Sequence, residues 1–178
     1  MSERRPHFSI IPVRDAADLK DTIDLFYAYA ASLGFDLAFQ NFDAEMAGMP
    51  GKYAPPAGEL LLARDDAGHP LGCVGLRPLR SPRDGYRVCE MKRLYVAPSG
   101  RGTGVGKTLA TSIIAAAENL GYHEMRLDTL PSMVAALRMY RSFGFEDIPP
   151  YYDTPLDATH FLALRLPRLE KLHDGRSR

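Results

Sequence analysis

Residues 100–107 read Gly-Arg-Gly-Thr-Gly-Val-Gly-Lys, with a glycine at every second position. This stretch follows a predicted strand at 86–96 and leads into a predicted helix at 102–120. Glycines leave one side of the backbone open, and the first N–H groups of a helix have no partner within it. The helix dipole adds partial positive charge at the same point. The stretch therefore predicts a corner that binds a phosphate or pyrophosphate group.

Spacing separates three phosphate-binding patterns that this stretch could represent. A Walker A loop would require glycine at position 101, which is Arg101, so the triphosphate interpretation fails on register. The dinucleotide pattern Gly-x-Gly-x-x-Gly would require its last glycine at position 105 if it began at Gly100, or at position 107 if it began at Gly102. These positions are Val105 and Lys107, so this pattern fails as well. A third pattern, Arg/Gln-x-x-Gly-x-Gly/Ala, is matched by residues 101–106. A glycine-rich turn without any ligand stays open as the alternative.

Chain length and charge balance favour a single domain with no nucleic-acid partner. The chain has 178 residues, and we expect one domain at 1–166 followed by a charged tail at 167–178. Lys plus Arg and Asp plus Glu both number 22, so no basic surface argues for nucleic acid. We see no signal peptide, no membrane span and no pair of histidines with metal-ligand spacing. Cys73 and Cys89 lie in apolar runs, which predicts buried thiols and a cytoplasmic protein.

Hydrophobic periodicity and turn residues predict an α/β (α+β) arrangement of about seven strands and about four helices. The predicted strands are 8–14, 59–64, 71–79, 86–96, 125–130, 145–148 and 159–166. The predicted helices are 15–34, 43–49, 102–120 and 131–143. The three strands between 59 and 96 have short links and form an antiparallel meander. The strand, helix and strand between 86 and 130 form a parallel pair with a right-handed crossover.

Three separated segments resemble the GNAT superfamily of N-acetyltransferases. They are the loop at 101–106, the strand Cys-Glu-Met-Lys-Arg-Leu-Tyr-Val at 89–96 followed by Ala-Pro, and Ala-Leu-Arg-Met-Tyr-Arg-Ser-Phe-Gly-Phe at 136–145. The order of the predicted elements is also similar to that of the family. The resemblance implies a single GNAT-like domain with a mixed, mostly antiparallel sheet whose central parallel strands splay apart.

The resemblance further implies that the cofactor is acetyl coenzyme A (acetyl-CoA). Its pantetheine arm would lie between the splayed strands, against backbone groups of Leu94, Tyr95 and Val96. The loop and its helix would hold the pyrophosphate through Arg101, Gly102, Thr103, Gly104, Val105, Gly106, Lys107 and Thr108. Many members carry an asparagine where this chain has Met133, and Thr129 or Ser132 could take over its contact with the pantetheine arm.

The same resemblance places two catalytic groups. Glu90 matches the general base, which removes a proton from the attacking amine, directly or through a water. A salt bridge with Lys92 or Arg77 is the structural alternative for this glutamate. Tyr140 matches the general acid beside the cofactor sulfur, with simple packing on the sheet as its alternative. Strand alternation predicts Lys92 and Leu94 on the face of Glu90, and Met91, Arg93 and Tyr95 on the other face.

The acceptor is predicted only as a class. The resemblance implies that the N-terminal helices and the loop before the last strand form the acceptor pocket, where Phe35, Tyr151 and Tyr152 could line it or pack in the core. We expect a small-molecule amine, with a protein amine as a less favoured acceptor. A non-catalytic acyl-CoA-binding regulatory module is the alternative from another functional class. The family often forms homodimers, and a homodimer is possible here.

Overall fold

A computed structural model describes residues 7–167, which form a seven-stranded sheet with helices on both faces. The strand order is β1-β2-β3-β4-β5-β7-β6. The strands are β1 Phe8–Pro12, β2 Glu59–Asp65, β3 Pro70–Leu79, β4 Val88–Val96, β5 Glu124–Thr129, β6 Glu146–Asp147 and β7 His160–Arg165. Only β4 and β5 are parallel among these neighbours, and all other pairs are antiparallel. The predicted mixed sheet with one parallel pair is thus confirmed.

Four α-helices cover the sheet, as predicted. They are α1 Ala16–Ser32, α2 Phe42–Ala47, α3 Val105–Asn119 and α4 Val134–Ser142. The carboxylate of Asp15 caps α1 by accepting the backbone N–H of Asp18 at 2.8 Å, which satisfies one of the unpaired donors of the first turn. One apolar cluster joins α3 and α4 to the sheet through Leu109, Ile113 and Met125. A second cluster joins α1 and α2 to the opposite face.

Two helices begin later than the sequence analysis predicted. Helix α3 starts at Val105 and not at residue 102, because Gly102 and Gly104 have φ angles of 75° and 91°, outside the helical region. Helix α4 starts at Val134, three residues after Pro131, because Met133 has a ψ of 58°. A turn in which the N–H of Met133 donates to the carbonyl of Leu130 fills the gap at 2.9 Å. The N-terminal and C-terminal strands are also shorter than predicted.

A β-bulge in β4 overturns the predicted alternation of its side chains. Lys92 is paired with Gly75 and Tyr95 with Cys73, so Arg93 and Leu94 together oppose one residue of β3. Arg93 has a φ of 58°, a left-handed conformation that is rare for a residue with a side chain. As a result, Arg93 and Tyr95 lie on the same face as Glu90, and Leu94 lies on the opposite face. The extra residue reverses the pattern from that point onward.

The remaining sequence expectations concern single residues and membrane contact. Cys73 and Cys89 are both buried free thiols, as predicted, and burial raises the pKa of each. Within residues 7–167, no helix is long and apolar enough to cross a membrane. The same part of the chain contains no group of three or more His, Cys, Asp or Glu side chains suited to a metal ion. The predicted tail lies outside the described residues from 168 onward.

Candidate active site

The candidate site is a cleft between the two parallel strands at the centre of the sheet. Strands β4 and β5 pair through Val88 with Glu124, Cys89 with Met125 and Glu90 with Arg126. Beyond these three pairs the strands part, and a narrow cleft opens between them. Residues of β4, β5, α1, α4 and the loop after β6 line it. The parting of the strands therefore creates a cleft in the middle of the sheet.

The two sides of the cleft differ in chemical character. On the side that we call the α4 side, the lining belongs to the apolar cluster beneath α3 and α4 and comprises Met91, Leu94, Leu127, Ala136 and Tyr140. On the α1 side, aromatic and aliphatic residues of the other cluster stand beside polar and charged groups. These residues are Tyr29, Leu33, Phe35, Leu37, Gln40, Lys92, Arg93 and Asp128. The cleft thus passes through the sheet from an apolar side to a partly charged one.

The glycine-rich loop offers a run of backbone donors at the front of α3. Among the described residues, no hydrogen bond occupies the N–H groups of residues 102–107, whereas the N–H of Thr108 donates to Gly104 at 3.0 Å. Gly104 precedes the helix without a side-chain cap. Gly100 is fixed by close packing, because a Cβ there would lie 2.9 Å from the carbonyl oxygen of Leu71. Six successive free amides at a helix start can hold a diphosphate.

The side chains of the loop differ in the contacts that they make with the protein. The guanidinium Nε of Arg101 donates to the Val96 carbonyl at 3.3 Å, which fastens the loop to the end of β4. The hydroxyls of Thr103 and Thr108 donate to the carbonyls of Gly100 and Gly104 at 2.6 and 3.0 Å. Neither cation of this loop is assigned a salt bridge with the described residues, and the exposed Lys107 is the one whose side chain also has no assigned hydrogen bond there.

Thr129 lies where the cleft meets α4. It is buried at the end of β5, lines the cleft, and its hydroxyl donates to the Met133 sulfur at 3.5 Å. Ser132 is exposed and does not line the cleft. Of the two proposed substitutes for the missing asparagine, Thr129 is the one positioned beside the cleft.

Tyr140 projects from α4 into the cleft and is buried. Its ring packs edge-on against Phe145 with centroids 5.7 Å apart. Burial, followed by the proximity of Tyr29 and Asp128, raises its pKa well above the usual value. None of the hydrogen bonds among the described residues involves the Tyr140 hydroxyl. This hydroxyl is therefore a protonated donor at neutral pH.

Glu90 lies behind the cleft, at the last pair before the strands part. Its side chain is only 2% exposed, and its Oε1 lies 3.2 Å from Arg77 Nη2 and 3.4 Å from Lys92 Nζ. Both cations that the structural alternative named are thus its partners. Glu90 is not among the residues that line the cleft. A proton from the cleft would have to reach it through an intermediary.

A second carboxylate anchors the bulge from α2. Glu45 Oε2 accepts from Nη2 and Nε of Arg93 at 2.9 and 3.2 Å, and Arg93 Nη1 donates to Gln40 Oε1 at 2.9 Å. Glu45 Oε1 accepts the hydroxyl of Tyr53 at 2.6 Å. These long-range bonds hold Arg93 in its left-handed conformation and offset its strain.

The predicted acceptor residues separate into two groups. Phe35 lines the cleft, whereas Tyr151 and Tyr152 lie beside it in an aromatic cluster with Phe161. The Tyr152 hydroxyl accepts from Gln40 Nε2 at 3.3 Å, which connects this cluster to the cleft lining. The Tyr151 hydroxyl is buried and has no hydrogen-bond partner among the described residues. The acceptor role of the two tyrosines stays a prediction.

The sequence analysis assigned no role in the site to several lining residues, among them Gln40, Asp128 and Leu156. For Asp128 a signal was present, because polar residues alternate with buried ones along Glu124–Thr129 and place Asp128 on the face of Glu90. For Gln40 and Leu156 no local pattern exists, since loop conformation alone brings them to the cleft.

Sequence comparisons give the family. Residues 23–145 match the family model described as acetyltransferase (GNAT) family. An uncharacterized N-acetyltransferase of Schizosaccharomyces pombe is 43% identical over 162 residues, covering 91% of this chain and 97% of that protein. An uncharacterized N-acetyltransferase of Dictyostelium discoideum is 29% identical over 216 residues, covering 88% of this chain and 99% of that protein.

Solved structures share the fold at low sequence identity. An acetyltransferase of the GNAT family from Staphylococcus aureus Mu50 has a TM-score of 0.71 at 20% identity, covering 90% of this chain and 99% of that one. A Salmonella typhimurium protein solved with its cofactor acetyl-CoA has a TM-score of 0.66 at 21% identity, covering 90% and 95%. Spermidine N-acetyltransferase from Vibrio cholerae, in complex with CoA and spermine, gives 0.65 at 16%, covering 89% and 95%. These identities are evidence for the fold alone.

Proposed function

This chain is an acyltransferase of the GNAT acetyltransferase family, and we propose that it transfers an acetyl group from acetyl-CoA to a primary amine of a small molecule. The observation that carries the proposal is the parting of β4 and β5 after three residue pairs. The parting opens a cleft that has Tyr140 on one side and Asp128 on the other. A cofactor held in this cleft could meet an acceptor that enters from the opposite side of the sheet.

The cofactor fits the residues present on the α4 side. Acetyl-CoA would supply a thioester, whose carbonyl carbon is open to attack by an amine. Free amides at residues 102–107 suit its pyrophosphate, and Lys107 adds a positive charge beside them. The apolar lining from Met91 to Ala136 suits the extended arm, with Thr129 and the backbone of Leu94, Tyr95 and Val96 as polar contacts.

We propose direct attack of the amine, with Tyr140 as the general acid. The hydroxyl of Tyr140 keeps its proton at neutral pH because its pKa is raised. It can therefore donate a hydrogen bond, and then the proton, to the departing sulfur.

We propose Glu90 as the final proton acceptor for the amine. Its buried position between Arg77 and Lys92 calls for a bridging water or side chain between the amine and this carboxylate. An amine must lose a proton to complete the amide. A carboxylate that is separated from the cleft by one bridging group can accept that proton. A purely structural role of the same ion pairs is the competing assignment. The two roles differ in the effect that replacement of Glu90 should have on kcat.

Thiol release tests the proposed function directly. Purified protein is titrated with CoA by calorimetry, and release of free CoA thiol from acetyl-CoA is followed with a panel of primary amines. We expect CoA binding and amine-dependent thiol release, with the acetylated amine detected by mass spectrometry. Tight cofactor binding without turnover on any amine would instead support the non-catalytic acyl-CoA-binding module. Absence of CoA binding would overturn both.

A further inference from the structure

We propose that Asp128 makes the site selective for primary amines that carry an apolar body and no carboxylate group. This inference rests on the proposed acetyl transfer and specifies its substrate class. It follows from the charges on the α1 side of the cleft, which is lined by two cations, Lys92 and Arg93, and one carboxylate, Asp128.

The two cations that line the cleft are already satisfied by protein groups. Lys92 Nζ lies 3.2 Å from Gln40 Oε1, 3.4 Å from Glu90 Oε1 and 3.5 Å from Asp128 Oδ1, so each of its three protons has an acceptor nearby. The Arg93 side chain is 2% exposed and gives three donors to Glu45 and Gln40. Neither cation can receive the carboxylate of an acceptor molecule without breaking these contacts.

Asp128 is the most exposed of the charged groups that line the cleft. Its side chain is 17% exposed, against 2% for Glu90 and 6% for Lys92. Its ion pair with Lys92 is 3.5 Å long, the longest of the contacts that Lys92 makes, and the hydroxyl of Tyr152 also hydrogen-bonds to this carboxylate. A carboxylate can accept about four hydrogen bonds, so Asp128 retains capacity for an amine N–H at the point where the strands have parted.

Apolar residues share the α1 side of the cleft with Asp128 and the occupied polar groups. Tyr29, Leu33, Phe35 and Leu37 line this side of the cleft, and Leu156 approaches from the loop before β7. Burial of an alkyl or aryl group against such residues is favourable by about 25 cal/mol per Å² of apolar surface. The residues therefore suit the carbon skeleton of an amine and offer no partner to further charges.

Two familiar acceptor classes fit this arrangement poorly. An α-amino acid would bring its carboxylate within a few Å of Asp128, and the like charges would repel without a free cation to compensate. A polyamine would bring additional ammonium groups against apolar walls, where an unpaired charge is costly. A monoamine with an aromatic or aliphatic body avoids both penalties.

Three probes that differ in charge test the proposal. Initial rates are measured with acetyl-CoA and phenethylamine, phenylalanine or spermidine as acceptor. We expect kcat/KM for phenethylamine to exceed that for phenylalanine and for spermidine by at least about tenfold. Asp128→Asn should raise the KM for phenethylamine by about tenfold, with a smaller effect on kcat. The same variant should bring the ratio between phenethylamine and phenylalanine down to about threefold, since the repulsion is removed.

The control and the contrary outcomes separate the inference from the proposed function. Glu124→Gln removes a carboxylate at the other end of β5, where Glu124 contacts Arg126 and Tyr86, and it should leave the substrate preference unchanged. Equal or better use of phenylalanine, or an unaltered preference in Asp128→Asn, would overturn the inference while acetyl transfer stands. Phenethylamine binding to the CoA complex is also measured by calorimetry. Binding that Asp128→Asn weakens, without turnover, would uphold the inference and refute the proposed catalysis.

Discussion

At the scale of single residues, Tyr140 and Glu90 differ in how they meet the cleft. Tyr140 lines it, whereas Glu90 sits behind it between two cations. Their positions on α4 and β4 follow from sequence motifs, but the partners of Glu90 come from β3 and from Lys92 on its own strand. Motif matching could therefore predict the identity of both residues, and only the folded chain shows how deeply Glu90 is enclosed.

Removal of the Tyr140 hydroxyl should slow the chemical step. We expect Tyr140→Phe to lower kcat by about 10- to 100-fold, because the departing sulfur loses its proton donor. The dissociation constant of CoA should change by less than about threefold, since the ring and its contact with Phe145 are retained. Stopped-flow thiol release and calorimetry check the two values. An unchanged kcat would assign Tyr140 to packing alone.

Replacement of Glu90 separates a base from a structural ion pair. We expect Glu90→Gln to lower kcat by about 100-fold, because the amine loses its final proton acceptor. It should also reduce the free energy of unfolding by about 3 kcal/mol, since Arg77 and Lys92 lose a buried partner. Rates are compared well below the melting temperature. A stability loss with kcat intact would show that the role is structural only.

At the scale of elements, the loop before α3 and the bulge in β4 shape the site. Glycine spacing predicted the loop, because Gly102 and Gly104 have the positive φ that other residues adopt with strain. The bulge could not be predicted, because Arg93 is held by Glu45 and Gln40 from α2 and the turn before it. The alternation pattern depends only on neighbouring residues and does not include contacts with residues distant in sequence. It therefore assigned Arg93, Leu94 and Tyr95 to the wrong faces of the sheet.

The loop prediction has a matched control elsewhere in the chain. Gly104 and Gly68 have φ angles of 91° and 86°, and a Cβ at either would meet nothing within 4 Å. We expect Gly104→Ala and Gly68→Ala each to lower the free energy of unfolding by about 1 kcal/mol. Only Gly104→Ala should weaken CoA binding, by about tenfold, because the strain is relieved by moving the amides. Equal CoA affinity in both variants would argue against the loop as the pyrophosphate site.

At the scale of the whole molecule, the antiparallel meander, the parallel pair and the helix number could be predicted, and the cluster of charges between the layers could not. Short links and turn residues determine neighbouring strands, and a β-α-β unit determines the parallel pair. The charged cluster brings together Glu45, Arg77, Glu90, Lys92 and Asp128 from four elements. Residues so distant in sequence show no spacing pattern, so their pairing is known only from the fold.

Buried tyrosines should make the whole fold sensitive to alkaline pH. Burial raises the pKa of Tyr29 to about 12 from 10.0 and raises those of Tyr53 and Tyr140 further. A raised pKa in the folded state gives stability that is complete below the unfolded value and declines as pH rises above it. We expect a constant melting temperature from neutral pH to about pH 9, then a fall above about pH 10. Absorbance of tyrosinate at rising pH should increase together with unfolding.

A tyrosinate signal that rises in full before the loss of circular dichroism would contradict this expectation. The variant Tyr53→Phe provides the comparison, because it removes one ionisable group and leaves the ring that packs against Phe26. Its alkaline transition should move to higher pH if ionisation of buried phenols drives unfolding.

The cleft that crosses the sheet has a consequence for the order of events during turnover. Because its α4 side and α1 side open on different faces, one substrate need not leave before the other arrives. Both would be bound together in a ternary complex, and no acetylated enzyme is required, since both thiols are buried. Double-reciprocal plots should then intersect, and desulfo-CoA should inhibit competitively against acetyl-CoA without displacing the amine.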